Sequence, residues 1–211
     1  MFPEAYILVG GRSSRFSGGE KPSARIGGKT LAENAVDIVR TALPGSTVSL
    51  VARDDEQFAE ESRRLSVGHV HDRFEGRGPL GGLFTALARC ESGWLFLFAC
   101  DMPLMSPDVI ADLWKLCEPE FGVVLPRQAD GRLQPLCAFY NVVEAIPVVE
   151  ALIHRPGGSA AMAEAVEALD MRIVEHDEIG AEPRVWTNVN TLEELAAARE
   201  IERKLSGRGE I

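Results

Sequence analysis

The sequence predicts an α/β protein with three layers, α/β/α, in which a mainly parallel sheet lies between two layers of helices. Short apolar segments alternate with amphipathic helical patterns, as in sheets built from βαβ units. The chain has 211 residues, 45% hydrophobic and 26% charged, which suits one α/β domain. We therefore expect a single domain over residues 1–205, followed by a frayed C-terminal tail at 206–211.

Short apolar segments predict the strands, and capping and stop signals predict the helices. Thr30 and Glu33 form a capping-box pattern before the first helix, and Thr191 and Glu194 repeat it before the last. Segment 94–100 is the most hydrophobic, so it should be a central strand. The predicted strands cover residues 6–9, 48–52, 67–70, 94–100, 122–126, 134–140 and 171–174. The predicted helices cover residues 31–43, 55–64, 78–90, 108–117, 143–154, 159–169 and 192–205.

The charge of the chain is uneven. The whole protein carries a net charge of −10, which disfavours nucleic acid and anionic membranes as partners. No signal-peptide pattern opens the chain, and no apolar segment reaches the length of a membrane span. We therefore expect a soluble cytoplasmic protein. Residues 10–30 differ from the rest, because they carry five basic residues and one acidic residue, a net charge of +4.

A glycine-rich loop follows the first predicted strand. Gly10 and Gly11 come directly after the apolar segment, and Gly, Ser and Arg residues continue to Lys21. Glycine lets the backbone approach a ligand closely, and the positive charge favours a small polyanion such as a nucleoside triphosphate. A Walker A loop is excluded because Ser23 stands where its first glycine belongs, and no Gly-x-Gly-x-x-Gly follows the strand. The alternative is a structural loop with turn glycines and surface arginines.

Asp101 is the candidate metal ligand. It follows the most hydrophobic predicted strand, where a carboxylate would be partly dehydrated and costly unless it were paired or coordinated. Ligands of open parallel sheets bind beyond the carboxyl ends of the strands, where both Asp101 and the glycine loop are expected. Mg²⁺ typically uses one or two carboxylates together with phosphate oxygens and water. The alternative is an aspartate that caps the turn at Met102-Pro103.

The segment from Leu8 to Lys21 resembles the glycine-glycine loop of the nucleotidyltransferases, most closely that of the molybdenum cofactor guanylyltransferases (MobA family). Arg15 and Lys21 match the loop arginine and lysine, and Asp101 in Asp-x-Pro matches the metal-binding aspartate. The resemblance implies a Rossmann-like nucleotidyltransferase fold in which Arg15, Lys21 and Asp101 are catalytic and Asp101 binds Mg²⁺. It implies nucleotide binding by Leu8, Val9, Gly10, Gly11, Arg12, Ser13, Lys21, Asp72, Gly78, Pro79, Leu80, Gly82 and Asp101.

Within that set, Asp72 and the turn Gly78-Pro-Leu-Gly-Gly82 resemble the family segment near the base and ribose. A helix start offers free N–H groups, and a carboxylate can accept hydrogen bonds from the N–H donors of guanine. The alternative is a purely structural turn.

The resemblance assigns Gln134, Pro135, Asn188 and Asn190 to the side of the site that binds the pterin substrate. Asn188 and Asn190 are one residue apart, so they face the same side of an extended chain. Their alternative role is to lead into the last helix, with Thr191 as its N-cap.

The resemblance implies an Mg²⁺-dependent enzyme that transfers GMP from GTP to the terminal phosphate of molybdopterin, with or without molybdenum, and releases pyrophosphate. One alternative is a cytidylyltransferase or a sugar- or polyol-phosphate nucleotidyltransferase. Four positions depart from the family pattern: Phe16, Ser17, Glu20 and Arg53. Ser17, Glu20 and Arg53 keep open a third interpretation, a catalytically weak relative that carries the cofactor to a molybdoenzyme or its chaperone.

Overall fold

The computed structural model describes residues 2–9, 23–53, 55–74, 76–155 and 161–207. Within these ranges the strands are β1 (Glu4–Leu8), β2 (Arg25–Ile26), β3 (Lys29–Thr30), β4 (Val48–Ala52), β5 (Gly68–His71), β6 (Trp94–Ala99), β7 (Val123–Arg127), β8 (Cys137–Asn141) and β9 (Met171–Glu175). The α-helices of the same ranges are α1 (Leu31–Ala42), α2 (Asp55–Leu65), α3 (Gly78–Leu87), α4 (Pro107–Lys115), α5 (Val142–Ile153), α6 (Met162–Glu167) and α7 (Leu192–Ser206).

Seven strands form one sheet in the order β5-β4-β1-β6-β8-β7-β9. The pairs β5–β4, β4–β1, β1–β6 and β7–β9 are parallel, whereas β8 runs antiparallel to both of its neighbours. The predicted α/β class and the mainly parallel sheet are confirmed. The most hydrophobic strand, β6, occupies the fourth of the seven positions, so its predicted central place is also confirmed.

Helices cover both faces of the sheet, and the alternation of side chains along β6 shows the two cores. Phe96 and Phe98 pack into one core together with apolar residues of α1 and α4. Leu95 and Leu97 pack into the other core with residues of α3, α5 and α6. A strand buried on both faces has to be apolar throughout, which explains the uninterrupted hydrophobic sequence of β6.

A small hairpin, β2–β3, was not predicted. Gly27 and Gly28 connect its two strands with φ of +55° and +82°, the left-handed conformation that a tight two-residue hairpin turn requires. The strands have two residues each, which is too short to show a period of two in the sequence.

Strand β8 begins three residues later than predicted. Gln134 and Pro135 form a turn that leads into it, in which the Cys137 N–H donates to the Gln134 carbonyl at 3.1 Å. Helix α6 covers Met162–Glu167, so it ends two residues before the predicted end at 169, and residues 159 and 160 of the predicted helix lie outside the described residues. No helix in the described ranges is both long and apolar enough to span a bilayer.

Candidate functional site at the carboxyl edge of the sheet

Strands β1 and β6 end side by side, and this places Asp101. Leu8 pairs with Ala99 in the parallel register, and the Cys100 N–H donates to the Leu8 carbonyl at 3.3 Å. Asp101 is half-buried and follows directly. It therefore lies beside the point where the chain leaves β1 and enters the glycine-rich segment.

Most of the predicted phosphate loop lies outside the described residues. This applies to Gly10, Gly11, Arg12, Ser13, Arg15 and Lys21. Their roles stay predictions. Leu8 and Val9 are described, and both are buried at the end of β1, where the Val9 N–H donates to the Val51 carbonyl of β4 at 3.1 Å.

The chain between Trp186 and α7 packs directly against Asp101. The Val189 N–H donates to the Asp101 carbonyl at 2.8 Å. The Val189 side chain is fully buried in a small apolar cluster, defined by Ile26, Leu31, Val189, Leu195 and Ala198. Asn188 and Asn190 lie on either side of Val189. Asn188 is half-buried, and Asn190 is exposed. The structure thus brings these two predicted residues to Asp101, although they are distant in sequence.

The capping box before α7 holds this segment in place. The Glu194 N–H donates to Thr191 Oγ1 at 3.1 Å, and the Thr191 N–H donates to the Glu194 carboxylate at 3.0 Å. The predicted N-cap role of Thr191 is confirmed. It does not compete with a ligand role for Asn188 or Asn190, because the cap uses other side chains.

Asp72 lies at the carboxyl end of β5, on the same edge of the sheet. Its N–H donates to the Ala52 carbonyl of β4 at 2.7 Å, and the residue is 6% exposed. Its Oδ1 accepts one hydrogen bond from the Phe74 N–H at 3.0 Å and another from the Thr85 hydroxyl at 3.2 Å. The carboxylate therefore joins the end of β5 to helix α3.

The turn that opens α3 has exposed and buried members. Gly78 has φ +58° and is exposed, as is Pro79. Leu80 is 1% exposed and belongs to the core. Gly82 packs against β1 so closely that a Cβ there would lie 2.7 Å from Leu8 Cδ2. Leu80 and Gly82 therefore serve packing, which leaves Gly78 and Pro79 as the members that a ligand can reach.

Gln134 and Pro135 reach the same edge because β8 runs antiparallel, so its start lies where the parallel strands end. The Ala99 N–H donates to the Leu136 carbonyl at 2.9 Å, next to Cys100 and Asp101. Pro135 is held by the Tyr140 hydroxyl, which donates to its carbonyl at 2.8 Å. Gln134 is 9% exposed.

No group of three or more His, Cys, Asp or Glu residues within the described ranges could hold a metal ion by itself. The single half-buried carboxylate of Asp101 fits a different arrangement, in which a bound substrate supplies further oxygen ligands.

Sequence reasoning missed two residues of this edge. Thr85 is the one polar side chain of α3 and is buried. That combination, a hydroxyl within an apolar helix, was a usable signal. Nothing in the sequence pattern indicates the role of Val189, because its contact with Asp101 depends on how distant segments pack.

Comparison with known proteins agrees with the family resemblance of the sequence motifs. The model of the MobA-like NTP transferase domain matches residues 5–198. A probable molybdenum cofactor guanylyltransferase of Bacillus licheniformis is 32% identical over 196 residues, 90% of this chain and 92% of the relative. A second, from a Geobacillus species, is 35% identical over 139 residues, 64% of this chain and 68% of the relative.

The structural comparison agrees with these matches. The crystal structure of molybdopterin-guanine dinucleotide biosynthesis protein A from Archaeoglobus fulgidus superposes with a TM-score of 0.78, at 26% identity over 95% of this chain and 99% of that one. A nucleotidyl transferase from Methanothermobacter has the same fold, with a TM-score of 0.74 at 14% identity over 97% of this chain and 99% of that one. The chain therefore belongs to the MobA-like NTP transferase family.

Proposed function

We propose that this protein transfers GMP from GTP to the terminal phosphate of molybdopterin, with or without molybdenum, and releases pyrophosphate. The observation that carries the proposal is the junction at the carboxyl edge. There Asp101 lies beside the exit of β1 into the glycine-rich segment, and beside the segment of Asn188 and Asn190. The names of the relatives in Bacillus licheniformis and Archaeoglobus fulgidus supply the substrates.

The strand order supports two substrate sites with the reaction between them. In the sequence of strands β5-β4-β1-β6-β8, Asp72 follows β5 at one end and Gln134 precedes β8 at the other. The ends of β1 and β6, with Asp101, lie between them. We assign the base and ribose of GTP to the side of Asp72, Gly78 and Pro79. We assign the pterin to the opposite side, which carries Gln134, Pro135, Asn188 and Asn190.

The chemistry requires charge neutralisation more than proton transfer. An oxygen of the molybdopterin phosphate attacks the α-phosphorus of GTP, the bond to the β-phosphate oxygen breaks, and pyrophosphate leaves. The attacking phosphate is already ionised, so no general base is needed. Two anions must approach each other, and we assign Arg15, Lys21 and the N–H groups of Gly10 and Gly11 to hold the triphosphate.

The residues present fit an Mg²⁺ ion that is shared between protein and substrate. Asp101 supplies one carboxylate, and phosphate oxygens and water are the usual remaining ligands. When bound, Mg²⁺ would supply positive charge to the phosphates during transfer. The hydrogen bond from the Val189 N–H to the Asp101 carbonyl fixes the backbone of Asp101, and this keeps its carboxylate at the edge of the sheet.

Pyrophosphate release tests the proposal. Purified protein is given GTP, Mg²⁺ and molybdopterin, and pyrophosphate and the dinucleotide product are measured. We expect Asp101→Asn to lower the rate about 100-fold, because it removes a charge that acts on the transition state. The control is Asp112→Asn, an exposed carboxylate of α4 paired with Lys115, which should leave the rate unchanged. Absence of pyrophosphate from the wild-type reaction would refute the proposal.

The same assay with other nucleotides separates the alternatives. A ligand stabilises only the fold that binds it, so thermal shifts with GTP, CTP, ATP and UTP report the preferred nucleotide. We expect the largest shift with GTP. A larger shift and faster turnover with CTP would instead identify a cytidylyltransferase. Binding of molybdopterin without any turnover would identify a carrier protein.

A further inference from the structure

Thr85 makes an unusual hydrogen bond for a threonine inside a helix. Such a hydroxyl commonly donates to a carbonyl of its own helix, one turn earlier. Here it donates to Asp72 Oδ1 at 3.2 Å, across a sequence separation of 13 residues. Both residues are 6% exposed. The Thr85 hydroxyl therefore serves the Asp72 carboxylate and not its own helix.

Within the described ranges, the donors to Asp72 fix one oxygen of its carboxylate and leave the other for a ligand. Among the described residues, both donors that reach this carboxylate, the Phe74 N–H and the Thr85 hydroxyl, bond to Oδ1. The backbone of Asp72 is fixed as well, by its bond to the Ala52 carbonyl. Backbone and Oδ1 together set the rotation of the carboxylate, and with it the direction of Oδ2.

We infer that Thr85 is a positioning residue for base selectivity, which orients Asp72 so that Oδ2 accepts hydrogen bonds from the N–H groups of a guanine base. This inference rests on the proposed function, in which Asp72 lies beside the base of GTP. Guanine offers two adjacent donors, N1–H and the 2-amino group. Xanthine has an oxygen in place of the 2-amino group, and N1 of adenine carries no hydrogen. In both cases an acceptor of the base would face the carboxylate, and this disfavours binding of the base.

The test compares Thr85→Val with Thr85→Ser. Valine keeps the shape of threonine without the hydroxyl, whereas serine keeps the hydroxyl. We expect Thr85→Val to raise KM for GTP about tenfold and to lower the preference for GTP over XTP about tenfold, since a hydrogen bond to a charged group is lost. The value of kcat should change less than about twofold, because the phosphates are untouched. Thr85→Ser should restore the preference.

A purely structural role predicts another pattern. In that case Thr85→Val lowers the melting temperature and affects GTP, ITP, XTP and ATP equally, which would overturn the inference. The matched control is Thr41→Val in α1, where an exposed hydroxyl donates to a carbonyl of its own helix at 2.8 Å. It should leave the nucleotide preference unchanged. If Thr85→Val does not fold, Thr85→Ala also removes the hydroxyl and should give the same loss of preference.

A double-mutant cycle tests whether Thr85 acts through Asp72. In the background of Asp72→Asn, adding Thr85→Val should change the preference for GTP over XTP less than about twofold, because the positioned carboxylate is already gone. Additive losses would overturn the inference. A wild-type protein that transfers GMP while Thr85→Val keeps its preference refutes this inference alone. A wild-type protein that does not use GTP refutes the proposed function as well.

Discussion

Gly81 shows how one residue without a side chain supports the proposed nucleotide site. It lies in α3, and a Cβ at this position would be 2.9 Å from the Phe74 carbonyl oxygen and 3.0 Å from Phe74 Cβ. The obstacle is backbone, which cannot rotate away as a flexible side-chain end can. Phe74 donates to Asp72 from the same turn, so any displacement there reaches the carboxylate.

We predict that Gly81→Ala destabilises the protein. Overpacking commonly costs about 1–3 kcal/mol, and the better helix propensity of alanine returns about 1 kcal/mol, so a net loss of about 1 kcal/mol is expected in urea unfolding. The matched control is Gly93→Ala, where no atom of the described residues, apart from the two chain neighbours, lies within 4 Å of the added Cβ. A Gly81→Ala protein as stable as Gly93→Ala would show that the turn yields easily.

At the scale of elements, the hairpin β2–β3 connects the glycine-rich segment to the rest of the fold. Ile26 packs in the small apolar cluster with Leu31 and Val189. The Arg199 side chain of α7 donates to the Arg25 carbonyl at 2.8 Å. The hairpin, α7 and the segment beside Asp101 therefore form one packed unit.

We predict that Gly28→Ala costs about 1–2 kcal/mol, because its φ of +82° is strained for an L-residue while the space around it is open. Gly28→Asn should cost less, since asparagine tolerates this conformation in hairpin turns. Denaturant unfolding gives the stability, and KM for GTP should rise in the alanine variant. Equal stability of the two variants would contradict the role assigned to the turn.

The N-cap of α7 gives a second prediction for an element. Thr191→Ala should cost about 1 kcal/mol, because it removes the side-chain acceptor for the Glu194 N–H. It should also raise KM for molybdopterin more than KM for GTP, since the loosened segment carries Asn188 and Asn190. Ser106→Ala is the matched control, because Ser106 is the N-cap of α4 without a side-chain capping bond. Comparable losses in the two variants would argue against the capping box.

Sequence reasoning predicted the features that have strong local patterns. It missed the features that depend on packing between segments far apart in the sequence. The capping boxes at Thr30 and Thr191 are local patterns, and both are present. The direction of β8 could not be predicted, because a strand buried on both faces has the same apolar sequence in either direction. That direction places Gln134 and Pro135 at the carboxyl edge. The contact of Val189 with Asp101 likewise depends on tertiary packing.

At the scale of the whole molecule, the order of the strands explains how separate motifs form one edge. Asp72 and Asp101 each follow a parallel strand, and Gln134 precedes an antiparallel one, so all three lie at the same edge. Sequence reasoning placed Asp101 at this edge by the general rule for parallel sheets, and it placed Asp72 in the site by the family resemblance. The two apolar cores, one on each face of β6, stabilise this arrangement of strands. The site and the stability of the protein therefore depend on the same central strands.

Stability should therefore fall at alkaline pH, where buried groups resist ionisation. Burial raises the pKa of Tyr140 and of Cys137, and burial followed by the hydrogen bond to Glu4 raises the pKa of Tyr6. Below their ordinary values these groups are protonated in both states, and the full stability is present. Above about pH 9–10 the unfolded chain releases these protons while the folded chain keeps them, so the free energy of unfolding decreases.

Each such group contributes a slope of up to about −1.4 kcal/mol per pH unit above its ordinary pKa. The chain has two tyrosines, so tyrosinate absorbance near 295 nm reports only these phenols. We predict that this absorbance appears together with the loss of far-UV circular dichroism as the pH rises, and not before it. Tyr6→Phe should halve the amplitude and make the alkaline loss of stability less steep. A phenol that ionises near pH 10 in a protein with native circular dichroism would contradict the burial on which this prediction depends.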